Sequence, residues 1–376
     1  MPATLPTQAK FNWTFALPTD TMGGIAATEK YVVCGTRDLP DRSDIFLCLD
    51  AATGTQKWRF QYPAIPPPSA KVRDGKLDFG NSPRATPLIV GDRVITQSAF
   101  GDIHCLDLET GELHWSWNLL RDFGGKLPEW GYSGSPLAVG QVVILQPGGS
   151  DCSLLAINLA DGEPIWETPG RGASYSSFIL AQIADKPQLI GLDSETLGGW
   201  DLVSGARLWE LKPNRNGEFQ VPTPVLSAQN LLVFGENNGA RLYRFLEAGE
   251  IDPQPVAQNP HCIPDTHTPV IVGEHVIALH DSLWVLERDS LVQHQLIDHD
   301  DLSHYGSLIT DGNSRVLVFT YQGKLLLFQF VGETLQHQET LSLTSSSAVQ
   351  VYSHPALVGN RFYCIIDGTL HSLQLW

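Results

Sequence analysis

The 376-residue chain has no run of 18 apolar residues, so no membrane-spanning helix is expected from it. Basic charge is scarce. Lys and Arg number 24 against 41 Asp and Glu, a net charge of −17. Nucleic acid and anionic membrane surfaces attract basic patches, so neither is expected as the main partner. Paired cysteines are missing too. Cys34, Cys48, Cys105, Cys152, Cys262 and Cys364 are scattered, with no CxxC and no zinc-like spacing, and read as small buried strand residues. Charged residues make up only 17% of the chain and apolar ones 42%, which argues against disorder. The segment Met1-Pro2-Ala3-Thr4-Leu5-Pro6-Thr7-Gln8 lacks the basic and apolar regions of a secretory leader, so the expected address is cytoplasmic. No HExxH, GxSxG or P-loop occurs, and no GxGxxG opens a helix.

Turn formers and tryptophan are plentiful: 34 Gly, 25 Pro and 10 Trp against 2 Met. That balance points to an all-β chain. A repeat organises it. Leu49-Asp50-Ala51-Ala52-Thr53-Gly54-Thr55-Gln56-Lys57-Trp58 aligns without gaps on residues 106–115, 157–166 and 200–209. Each copy has Asp or Asn, Gly four residues later and Trp eight residues after the Asp or Asn: Asp107, Gly111, Trp115; Asn158, Gly162, Trp166; Asp201, Gly205, Trp209. The acidic or amide side chain can bond the turn backbone, Gly supplies positive φ, and Trp anchors the next strand. Upstream of each copy lie further short apolar runs. Units of four strands about 40–55 residues apart have the size of propeller blades.

The second half keeps this rhythm without the Gly-then-Trp signature. Thr223-Pro224, Thr268-Pro269 and His354-Pro355 repeat the openings Thr86-Pro87 and Ser135-Pro136, and Gly306-Ser307 is a weaker copy. Eight blades are expected in one domain over residues 1–376, without a linker. The last is short of an outer strand, which residues 11–16 are expected to supply, closing the ring. Trp58, Trp115, Trp166 and Trp209 are expected to pack between blades.

The Leu-Asp-x-x-Thr-Gly-x-x-x-Trp repeat resembles the tryptophan-docking motif of pyrroloquinoline-quinone (PQQ)-type propellers. That superfamily is WD40-like in outline and holds quinoprotein alcohol dehydrogenases and non-catalytic assembly scaffolds. The stretch 122–131, with Ser135-Pro136-Leu137 and Gln146-Pro147-Gly148-Gly149, resembles PQQ-binding-like repeat proteins of unassigned function. For a dehydrogenase the resemblance implies a Cys-Cys pair over the quinone and a calcium site of Glu, Asn and Asp. The chain has no vicinal cysteines and no long insertions. No cofactor is therefore expected, with PQQ carried by the resemblance alone. The expected function is a scaffold binding a protein or a small polar organic ligand on its loop face. The alternative is a quinoprotein-like dehydrogenase oxidising an alcohol or sugar at the channel mouth.

Long connections at 61–84, 119–134, 211–222 and 253–267 fall on one face of such a ring, where ligands bind. Candidate ligand-binding residues there are Arg84, Trp130, Tyr132, Tyr175, Arg215, His267, His304, Tyr305 and His354, with Tyr352 and Arg171 nearby. Aromatic faces stack on organic ligands and guanidinium forks bind carboxylates. The same polar aromatics can instead plug the channel. No metal is expected. Should one bind, His267, His304 and His354, which open successive blades, are the candidates, because three imidazoles suit zinc, copper or iron.

Overall fold

The computed structural model describes residues 1–346 and 348–376. Among them, strands form eight four-stranded antiparallel sheets. The first sheet takes Ala26–Ala27, Tyr31–Arg37, Ser43–Asp50 and Gln56–Pro63 in that order. The next six occupy 88–118, 137–168, 179–211, 225–259, 270–297 and 306–342. The eighth combines Ala356–Val358, Arg361–Ile366 and Thr369–Gln374 with the N-terminal strand Phe11–Ala16. Inner strands of neighbouring blades touch, including those of the eighth and first, and the fold is an eight-bladed β-propeller.

Sequence pattern explains each strand's place. Tyr31–Arg37 and Ser43–Asp50 are nearly continuously buried, as strands covered on both faces must be. The outer strand Gln56–Pro63 alternates, burying Trp58 between exposed neighbours. The turn before it is built from the Asp. Asp50 Oδ1 accepts hydrogen bonds from the N–H groups of Ala52 and Thr53 and from the Thr53 hydroxyl. Those bonds hold its carboxyl below the usual range. A bulge at Cys48/Leu49 then sets Trp58 opposite Cys48. The same bulge recurs in the next three blades, so Trp115, Trp166 and Trp209 face Cys105, Ala156 and Gly199. Small partners leave room for the indole. This accounts for Cys48 and Cys105, whose thiols burial pushes up to about 12.

The first three indoles reach the following blade. Trp58 Nε1 donates to the Leu108 carbonyl at 2.9 Å, Trp115 Nε1 to Leu159 at 2.9 Å and Trp166 Nε1 to Leu202 at 3.1 Å. The repeat glycine lies under the ring. A Cβ at Gly111, whose φ is +76°, would sit 2.6 Å from Trp58 Cγ. Gly162 and Gly205 meet Trp115 and Trp166 in the same way. The N-terminal strand adds a further member: Trp13 Nε1 bonds the Ala51 carbonyl at 3.1 Å and its ring covers Gly54. Trp209 has no such glycine ahead of it. Its Nε1 donates to Gln188 Oε1 within its own blade, and Gln188 Nε2 donates to the Gly249 carbonyl of the fifth.

Candidate functional site

The Ser or Thr just before the inner strand of blades two to six sets the channel. The Thr86 N–H donates to Ser135 Oγ, the Ser135 N–H to Ser177 Oγ, the Ser177 N–H to Thr223 Oγ1 and the Thr223 N–H to Thr268 Oγ1, at 3.0–3.1 Å. Blades two to six are thus tied by a relay of hydroxyls around the axis. All five hydroxyl residues line one cavity of about 590 Å³ on the loop face. That is room for a small organic molecule or a few side chains.

Seven of the sequence candidates line it: Arg84, Trp130, Tyr175, His267, His304, Tyr305 and His354, together with Tyr352. Arg84 is held by backbone. Its Nη2 donates to the carbonyls of Asp78 at 2.7 Å and Gly80 at 2.9 Å, while its buried Nε has no partner among the described residues. Burial lowers its pKa to about 10, against the pull of Tyr175 and Asp78. Trp130 leans on Tyr175 at 5.1 Å and meets the edge of Phe219 at 4.5 Å. Tyr305 and Tyr352 contact edge-to-face at 5.2 Å across the rim.

Two candidates lie elsewhere. Tyr132 is buried in the core beside Leu119 and Phe123, and its hydroxyl donates to the Pro147 carbonyl at 2.6 Å. Its position before an inner strand is as expected, but its ring turns into the blade. Arg215 is exposed and away from the cavity wall, and both its backbone groups bond the Asn238 side chain. Arg171 is engaged by Asp193 and Glu210. The expected loop 253–267 is also interrupted, because Ala257–Asn259 is the outer strand of the fifth blade. Residues 119–134 hold a short helix, Leu119–Phe123, capped by Asn118 and ended by Gly124 in left-handed conformation.

The three candidate metal histidines do not meet. His267 is 3% exposed, and its Nε2 accepts the Leu279 N–H at 2.9 Å, so its proton is on Nδ1. Burial and the neighbouring His354, His280 and His304 lower its pKa to about 3. His354 Nδ1 lies 3.2 Å from Ser307 Oγ. His304 instead faces Asp265, Nε2 to Oδ1 at 3.1 Å, and His280. Sequence reasoning missed His280, Phe79 and Phe219, which carry no motif. Four of the five relay residues did have a signal, a hydroxyl residue before Pro, whereas Ser177 precedes Phe178.

The donors do not match a calcium–quinone pair. Among the described lining residues Asp265 is the one carboxylate and none is Glu or Asn, and the six cysteines are free and buried.

A family model described as outer membrane protein assembly factor BamB, of the PQQ_2 repeat type, matches residues 41–290. A curated relative of that name from Burkholderia pseudomallei is 31% identical over 159 residues. That match spans 38% of this chain and 39% of the relative's length. BamB from Moraxella catarrhalis superposes with a TM-score of 0.64 at 16% identity, covering 97% of both chains. A europium-containing methanol dehydrogenase gives 0.65 at 12% identity, over 94% of this chain and 84% of that one. A quinohemoprotein alcohol dehydrogenase from Comamonas testosteroni gives 0.63 at 12% identity, over 98% and 76%. At such identities these structures share the fold alone. With its repeats, its eight blades and a family match over 250 residues, the chain belongs to the BamB-like family of PQQ-repeat propellers.

Proposed function

We propose that the protein is a binding scaffold that holds a partner protein against its loop face. The observation that carries this reading is the aromatic rim. Phe79 and Phe219 are 55% and 43% exposed at the edge of the cavity, beside Tyr352 and Trp130 respectively. Exposed aromatic side chains around a concave opening are typical anchors for a protein partner. Membership of a family described by assembly of outer membrane proteins supports a protein rather than a small metabolite as the main occupant. The mismatch of donors to calcium and quinone weighs against the dehydrogenase alternative.

The test is photo-crosslinking in the protein's own host, with a photoreactive phenylalanine placed at Phe79 or Phe219. Val203, 76% exposed on a turn of the opposite face, serves as control. Discrete protein adducts are expected at 79 and 219 and not at 203. Equal labelling at all three positions, or no adduct at the rim, would sink the reading.

A further inference from the structure

We propose that Asp265, His280 and His304 form a site for a divalent transition metal on the wall of the central cavity. The inference does not depend on the scaffold reading. Three separate elements bring the residues together. Asp265 lies in the loop before the inner strand of the sixth blade, His280 ends that blade's second strand, and His304 precedes the seventh blade. One ligand atom from each lies within 4.8 Å of the others. His304 Nε2 is 3.1 Å from Asp265 Oδ1, and the two imidazole rings are 5.0 Å apart at 67°. Ligands about 2.0–2.2 Å from a tetrahedral zinc lie about 3.3 Å from one another. Side-chain rotations of roughly an ångström would close the set around an ion.

The surroundings favour a dication. His280 Nδ1 is buried and has no hydrogen-bond partner among the described residues. Glu236 and Glu218 add negative charge close to Asp265. The donors choose among cations. Two imidazoles and one carboxylate suit zinc, iron, cobalt or nickel, whereas calcium and magnesium prefer oxygen alone. Asp265 and His304 also line the cavity, so an ion held there keeps coordination positions open to whatever enters. This fourth-to-sixth-position access distinguishes the cluster from a closed structural site.

A second group, His275, Glu287 and His294, lies on the second, third and fourth strands of the sixth blade, with His294 Nδ1 already 2.7 Å from Glu287. It is the natural competitor and provides the control. Chelator-treated full-length protein is titrated with cobalt(II), read by its visible d–d absorption, and with zinc(II) by calorimetry. One ion per chain is expected. Asp265→Asn and His280→Ala should each weaken it at least tenfold, and His294→Gln should leave it unchanged. Thermal melts without metal establish that the variants fold, and Asp265→Asn, in a loop, keeps the test decisive should His280→Ala fail to do so. No binding by the parent protein, unchanged affinity in Asp265→Asn, or loss in His294→Gln would each overturn the proposal.

Discussion

His267 shows how one residue can carry a solution property of the whole protein. Its Nε2 satisfies the Leu279 N–H deep in the channel wall, and its pKa falls from the ordinary 6.5 to about 3. Between those values the unfolded chain binds a proton that the folded one refuses. Stability is therefore complete above pH 6.5 and declines as pH drops towards 3, by about 1.4 kcal/mol per pH unit for this group. His104, lowered by burial to about 4, adds in the same direction. His267→Gln keeps an acceptor for Leu279 and removes the titration. Urea midpoints measured from pH 7 to pH 4.5 should fall less steeply in that variant than in the parent; parallel slopes would refute the assignment. The sequence displayed His267 as an opener of a blade, hence its place on the channel. It gave no sign that the Leu279 backbone occupies one ring nitrogen, because that bond depends on how two strands stack. Tyr132 differs from Tyr175 by register: it lies three residues before the relay hydroxyl Ser135, whereas Tyr175 lies two before Ser177, and its ring turns into the core.

At the scale of elements, the repeat disclosed the blades because its Asp, Gly and Trp are tied to one turn and one bulge. Where the turn is replaced, as in blades five to eight, only the Thr-Pro openings and paired apolar runs remained to mark the strands. The short outer strand Ala257–Asn259 has neither signal. The strand Phe11–Ala16 was legible as an orphan needing an edge, but its Trp13 stood outside the ten-residue motif. Trp13 is nevertheless equivalent to Trp58 and Trp115 in reaching a carbonyl and a glycine of the next blade. Truncation to Ala removes a large buried side chain and should cost about 3–5 kcal/mol at Trp13 as at Trp115. Chemical denaturation of both variants checks this. A Trp13→Ala protein as stable as the parent would mean that the strand pairing alone closes the ring.

For the molecule as a whole, closure divides one blade between the two ends of the chain, so the ring cannot open without breaking a sheet. A circular permutant makes the comparison. Joining residues 376 and 1 through a flexible linker, with new ends in loop 211–222, leaves every blade covalently whole. The ring is then closed only by contacts between blades four and five, where Trp209 bonds within its own blade and Gln188 makes the bridge. Its urea midpoint should be lower than the parent's; an equal or higher one would show that sharing a blade contributes nothing. The divided blade also sets an order of events during synthesis. Residues 11–16 leave the ribosome long before the strand they pair with, Thr369–Gln374. At about 5–20 residues per second that is a delay of roughly 20–70 s. Throughout it, Trp13 can already cover Gly54 of the finished first blade, so the strand can wait docked on one neighbour for the other to be made.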